Sequence, residues 1–193
     1  MKQLLIFCLV SLLSIYTYAQ SDYLQYDIET GVSVSTGAHT PFWLVANKYG
    51  VSSIKRNTAY LSAGVFHQEN PLKKFSYAWG LELAGAHRFT SGFFVQQAYL
   101  DLRYHDFVLS IGSKERGSEL KNDALSTGGL SLSSNARPVP QVRISIPDFV
   151  PIPGCRNWLH VKGHLAYGRF TDDSFQTDYV QGKNKYTKNA LYH

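Results

Sequence analysis

The sequence predicts an all-β protein: about eight strands of a transmembrane antiparallel β-barrel behind a cleaved signal peptide. Three observations predict it. Apolar residues recur with period two along most of the chain. Between residues 20 and 193 there is no stretch of about 12 or more residues with helical apolar spacing and caps. Several alternating runs are about 10–13 residues long, beyond the roughly 5–6 of a typical soluble strand and close to the roughly 9–11 that cross a bilayer.

In chain order, the first run covers 25–35, where Tyr26, Ile28, Val32 and Val34 alternate with Asp27, Glu29, Gly31, Ser33 and Ser35. A shorter run follows at 59–67. In 75–86, Phe75, Tyr77, Trp79, Leu81 and Leu83 alternate with Ser76, Ala78, Gly80, Glu82 and Ala84. In 94–104, Ala98, Leu100, Leu102 and Tyr104 face one way, while Gln97, Tyr99, Asp101 and Arg103 face the other. Short runs at 107–112 and 138–146 precede a long one at 158–170, where Leu159, Val161, Leu165 and Tyr167 alternate with His160, Lys162, His164, Ala166 and Gly168. A last strand begins near Tyr186.

Alternation alone fits a soluble sandwich as well as a membrane barrel, since each has one apolar and one polar face. Run length favours the barrel, and so do aromatics near the run ends: Phe75, Tyr77, Phe93, Phe94, Tyr104, Phe107, Trp158, Tyr167 and Phe170. Such residues suit interfacial girdles. Backbone amides in lipid must all be paired, so a spanning sheet has to close. The connections fit as well. His105 and Asp106 make a tight hairpin, while 113–137 and 171–185 are long polar stretches. With the hairpin on the periplasmic side, strand parity puts both long stretches outside, and 147–157, with Pro147, Pro151, Pro153 and Gly154, becomes a long periplasmic turn. No fixed-period repeat or linker divides the chain.

The N-terminus reads as an export signal. Met1 and Lys2 give a positive start, Leu4 to Leu13 is nearly unbroken apolar sequence, and Thr17 and Ala19 occupy the −3 and −1 positions of a cleavage site. The apolar run is short of the about 20 residues of a helical anchor. The expected division is 1–19 signal peptide and 20–193 barrel, with residence in the cell outer membrane and its lipid as a partner. Cys8 lies in the leader, so Cys155 is the only cysteine left and no disulfide can form within 20–193. A formal net charge of +5 suits an acidic partner. Without a dense Lys/Arg run, nucleic acid is not expected.

The polar faces of the strands are the first place to look for chemistry. Glu82, Asp101, Arg103, Arg143, His160, Lys162 and His164 fall on the side away from lipid. Charges in an enclosed space must be paired or solvated, so an interlocking lumen network is expected. Asp101 and Arg103, two apart on one face, suggest a pair. His160 and His164 lie four residues apart on a strand, about 13 Å, too far for one metal ion to bridge. His39 has no ligand-like neighbour, and Asp172-Asp173 is only a short acidic pair in a loop. No metal, no cofactor and no enzyme activity are expected: neither a nucleophile elbow nor a carboxylate pair for glycoside cleavage can be nominated.

Two segments are more specific than periodicity. One is ETGVSVSTGAHTPFWLVANKYG, residues 29–50. The other spans 112–143 and contains GSKERG and LSTGGLSLSSNARPVPQVR, the latter ending at Arg143. Together they resemble the capsule assembly Wzi family of outer-membrane proteins, in the form found in Bacteroidota, and the resemblance covers most of residues 20–193. Its most specific part is S-x-N-A-R-P-x-P-x-x-R, from Ser133 to Arg143. Family members are usually much longer, so the resemblance implies an N-terminal portion of a larger barrel. Some relatives also carry a periplasmic helical element, which has no evident match here.

The resemblance implies a role in attaching or organising capsular polysaccharide at the cell surface of a Gram-negative-type envelope, possible partners being that polymer and other capsule export components. A porin-like channel for solutes is the alternative. In the polysaccharide reading Arg116, Asn135, Arg137 and Arg143 are candidate ligands, since arginine forks bind carboxylates with two hydrogen bonds. The competing use of Arg137 and Arg143 is to order the loop against the barrel wall, with Pro138 and Pro140 stiffening it. Trp43, Tyr49 and Tyr179 suit girdle packing or sugar stacking.

Overall fold

The computed structural model describes residues 24–37, 39–70, 72–117, 125, 134–155, 157–171 and 190–192. The expected leader at 1–19, most of both long polar stretches, Asp172-Asp173, Tyr179 and Tyr186 lie outside them. Eight strands form one antiparallel sheet in sequence order. They are β1 (Leu24–Ser33), β2 (Thr58–His67), β3 (Phe75–His87), β4 (Phe93–Tyr104), β5 (Phe107–Ser113), β6 (Gln141–Pro151), β7 (His160–Arg169) and β8 (Leu191–Tyr192). β1 and β8 are the sheet's two edges and do not pair with each other. Among the described residues the only helix is the 3₁₀ turn Phe42–Leu44, and no helix is long and apolar enough to cross a membrane.

The alternation determines which side chains share a face, and the ladder aligns these faces across strands. Glu29 lies opposite Ser62, Gly64 opposite Glu82, Ala78 opposite Asp101, Ser110 opposite Arg143, and Ser145 opposite His164. Their polar and small side chains build one face, where Ser62, Ser76, Ala78, Gln97, Asp101 and Ser110 are buried. The opposite face carries Ile28, Leu61, Leu81, Leu83, Leu100, Ile111, Ile144 and Leu165, all exposed. Among the described residues the largest fully buried side chain is Gln96. Polarity thus runs opposite to that of a sheet folded around an apolar core.

The small apolar core that exists is at one end of the polar face. Val51, Ala84, Phe89 and Phe94 are buried there, with Tyr60 and Ala86 packed on them. Elsewhere aromatic rings on that face lie close over glycines. A Cβ on Gly80 would come within 2.5 Å of the Phe66 ring and 2.6 Å of the Tyr99 ring. On the apolar face, His67 stacks on Tyr77 at 4.8 Å and on Trp79 at 6.2 Å.

Two connections follow expectation and one departs from it. Tyr104 pairs with Phe107 across the two-residue turn, with His105 at φ 50°. Cys155 is a free thiol in the turn after β6, its N–H donating to the Ile152 carbonyl. The departure is β6 itself, which starts at Gln141 and runs through Pro147 to Pro151, residues assigned from the sequence to a turn. Prolines have no N–H for a ladder, and here the ladder breaks between Ile146 and Val150, then resumes with Val150 opposite Val161 and Pro151 opposite His160. An irregularity inside the strand, rather than its end, absorbs Pro147.

Candidate functional site

Strand parity puts the connections 34–57, 88–92 and 114–140 at one end of the sheet. The first of these is held by its own bonds: the Thr40 N–H donates to the Ile54 carbonyl, the Thr40 hydroxyl to Lys55 O, and the Ser52 hydroxyl to Val45 O. Residues 34–57 then meet the segment 134–137. The Tyr49 N–H donates to the Ser134 carbonyl at 2.6 Å, and the Asn47 N–H to Asn135 Oδ1 at 2.8 Å. Gly50, at φ 78°, lies against Arg137, whose guanidinium sits 3.7 Å from the centroid of the Phe94 ring. Gln96 anchors the assembly to the sheet by donating from Nε2 to Tyr49 O at 2.9 Å. Residues 47–50 of the first segment singled out in the sequence and 134–137 of the second are therefore neighbours at one end of the polar face.

Residues 114–116 also turn onto that face. The bend begins at Gly112, φ 111°, where any Cβ would overlap the Ala98 carbonyl. Lys114 then reaches Asp101 Oδ2 at 2.5 Å and lies 4.5 Å from the Tyr99 ring centroid. The Glu115 N–H donates to Gln97 Oε1 at 3.0 Å, and its carboxylate accepts from Gln96 Nε2 at 2.6 Å. Gln96 and Gln97 are both buried because β4 bulges there, with Glu82 opposite Gln97 and Leu83 opposite Val95.

Several acidic groups lie together on one part of the polar face. Asp27, Glu29, Glu82 and Glu115 gather over β1 to β4, and burial, with the three neighbouring carboxylates, pushes the Glu115 carboxyl up to about 7. Tyr60 donates its hydroxyl to Glu29, and Gln97 Nε2 donates to Glu82 at 2.9 Å. Across the face, Arg116 enters the territory of Arg143 on β6. Burial first, then the Arg143 charge, lowers its pKa below the ordinary arginine value. Arg116 Nη1 donates to the Lys114 carbonyl at 3.2 Å, whereas Nη2 is buried without a hydrogen-bond partner among the described residues.

The candidate residues thus divide. Arg143 on β6 and His164 on β7 occupy adjacent rows of the polar face, and the Arg143 charge reaches Arg116. Asn135 bonds the first loop, Arg137 lies against Gly50 and over the Phe94 ring, and burial lowers the Arg137 pKa. Glu82, Asp101 and Arg103 line the polar face, but Asp101 and Arg103 are not each other's main partners: Asp101 pairs with Lys114, and Arg103 with Glu69 in the β2–β3 turn. His160 and Lys162 are exposed at the far end of β7, Lys162 lying 5.5 Å from the Phe149 ring centroid.

Sequence reading missed Glu69, Lys114, Glu115, Gln96 and Gln97. Period two had put Gln97 on the polar face, but only the bulge brings Gln96 there as well, and period two does not reveal a bulge. Trp43 is exposed, while Tyr49 contributes its backbone to the loop junction. No protein family model, curated protein or solved structure matches this chain.

Proposed function

We propose that the chain is the N-terminal portion of an outer-membrane β-barrel that holds or organises capsular polysaccharide at the cell surface. One observation carries the reading: the two segments resembling the capsule assembly family converge on the polar face of a sheet whose other face is apolar and exposed. A soluble monomer rarely leaves so much contiguous apolar surface in water. Against lipid the same band is stabilising, and the polar face becomes the wall of an enclosed wet space. The converged loops then lie at one mouth of that space, where a polymer passing the cell surface would meet them. Binding would be multivalent, with many weak contacts along a repeating polymer supplying the retention.

The test is surface-retained polysaccharide in cells lacking the gene, with and without the restored full-length protein. Loss of retention on deletion and its return on restoration is the expected result. Retention that ignores the gene would end the reading. The alternative, a solute channel, is favoured by the charged side chains lining the polar face, Glu82, Asp101 and Arg103 among them, which would set up a field in a lumen. Large, steady single-channel conductance of the full-length protein would select it.

A further inference from the structure

The connection after β1 has a part that the loop junction does not use. Residues 47–50 meet 134–137, whereas Phe42, Trp43 and Leu44 are 58%, 77% and 47% exposed. These three belong to one 3₁₀ turn, closed by the Val45 and Ala46 N–H groups on the Phe42 carbonyl. Thr40 donates to the Ile54 and Lys55 carbonyls and the Ser52 hydroxyl to Val45 O, so residues 40–45 run beside 52–55 and exposed Ile54 joins the tip. A hydrogen-bonded frame thus holds four apolar side chains in the open, grouped rather than scattered singly. Their height on the sheet is also informative. The ten residues of β1 extend roughly 33 Å, which at a tilt of about 40° rises about 25 Å, the height of a barrel's apolar band. Outward residues stay apolar and exposed to this end of the sheet, Val32 and Val34 along β1 and Phe93 on β4. The tip therefore begins where hydrocarbon would give way to headgroups, the layer in which tryptophan is enriched.

Charge around the tip has one sign. The connections 34–57 and 88–92 contain Lys48, Lys55, Arg56 and Arg88 and no Asp or Glu. The Ser53 hydroxyl donates to the Arg88 carbonyl at 3.1 Å, which brings the two connections together, and Lys48, Arg56 and Arg88 are exposed. At the opposite end of these strands the turns mix both signs, with Glu69, Lys73, Lys74 and Asp106. Apolar and aromatic side chains ringed by basic ones suit a membrane surface, where rings and aliphatic groups enter the headgroup layer and cations meet phosphates. A sugar platform would set its ring among hydrogen-bonding side chains, not beside Leu44 and Ile54. We propose that Phe42, Trp43, Leu44 and Ile54 form a membrane-surface anchor resting in the lipid headgroup layer, with Lys48, Arg56 and Arg88 on lipid phosphates. The anchor rests on the outer-membrane reading above and adds to it a contact between loop and lipid.

The experiment is tryptophan fluorescence of the full-length protein in vesicles of phosphatidylcholine and phosphatidylglycerol, with and without bromine on the acyl chains close to the headgroup. Subtracting the emission of Trp43→Phe from that of wild type isolates Trp43. Trp43 is exposed, so this variant loses the fluorophore without losing packing. Trp79→Phe isolates Trp79 in the same way, and Trp79 stacks with His67 on the apolar face of the sheet. Brominated lipid is expected to remove about half or more of the Trp43 emission, and the Lys48→Gln, Arg56→Gln double variant to reduce that loss about twofold. Quenching of Trp79 with Trp43 at full strength overturns the anchor and leaves the membrane reading standing. Full emission from both overturns the anchor together with the membrane reading. Trp43 emission that responds to a soluble oligosaccharide containing glucuronic acid, and not to brominated lipid, overturns the anchor in favour of a sugar platform. Quenching of Trp43 that is unchanged in the double variant overturns the part given to the basic residues.

Discussion

Arg103 grips Glu69 with two hydrogen bonds, Nε to Oε2 at 2.8 Å and Nη2 to Oε1 at 2.7 Å, across 34 residues of sequence. The fork ties the turn between β2 and β3 to the last turn of β4. Paired, two-bond geometry and partial burial make it stronger than an ordinary surface pair. Glu69→Gln and Arg103→Gln are each expected to cost about 1 kcal/mol, and the double variant little more than either. Urea unfolding of the four proteins measures the coupling; strictly additive losses would show that the pair contributes nothing.

Outward Leu165 is 81% exposed. In water, Leu165→Arg should change stability by no more than about 0.5 kcal/mol. Facing lipid near the middle of a bilayer, the same change costs about 2–4 kcal/mol. We expect a reduced fraction of assembled, heat-modifiable protein for Leu165→Arg and an unchanged one for Leu165→Ile. Equal assembly of both variants argues for water on this face.

Gly80 lies beneath two rings, whereas Gly163 on the opposite face has open space where a Cβ would stand. Gly80→Val must displace Phe66 and Tyr99 and is expected to cost about 1–3 kcal/mol. Gly163→Ala is expected to stay within about 0.5 kcal/mol of wild type. Comparable unfolding midpoints for the two variants would contradict the ring-over-glycine packing.

The Glu115 carboxyl titrates near 7 in the folded protein, against an ordinary value of 4.5. Between these values the folded state holds the proton more tightly than the unfolded chain does. The resulting stabilisation is complete below about 4.5 and is lost as pH rises through about 7. Glu115→Gln, which stays neutral, should flatten this part of the stability profile between about pH 5 and pH 8. Parallel profiles for wild type and variant would rule Glu115 out as the source.

Arg137 lies against Gly50 of the first loop and over the Phe94 ring of β4. Arg137→Ala is expected to destabilise by about 1–2 kcal/mol and to speed proteolysis within 34–57, and Arg137→Lys to recover only part, because an ammonium lacks the flat guanidinium that stacks on a ring. Proteolysis of 34–57 at the wild-type rate in Arg137→Ala would remove that role.

By itself the sequence determined the element type, the faces and most of the connections, because period two directly assigns each side chain to one side of a strand. Leu81 and Leu165 were legible as partners on one face, and Asp101 and Arg143 on the other. Tertiary structure decided who meets whom. Asp101 and Arg103 share a strand and a face yet turn to Lys114 and Glu69, since turns and the segment after β5 deliver better-placed charges than a neighbour two residues away. The same holds for Asn47 with Asn135, 88 residues apart, and for Gln96 with Glu115. Alternation carries no information about register, bulges or the path of a loop, and these three place the candidate site.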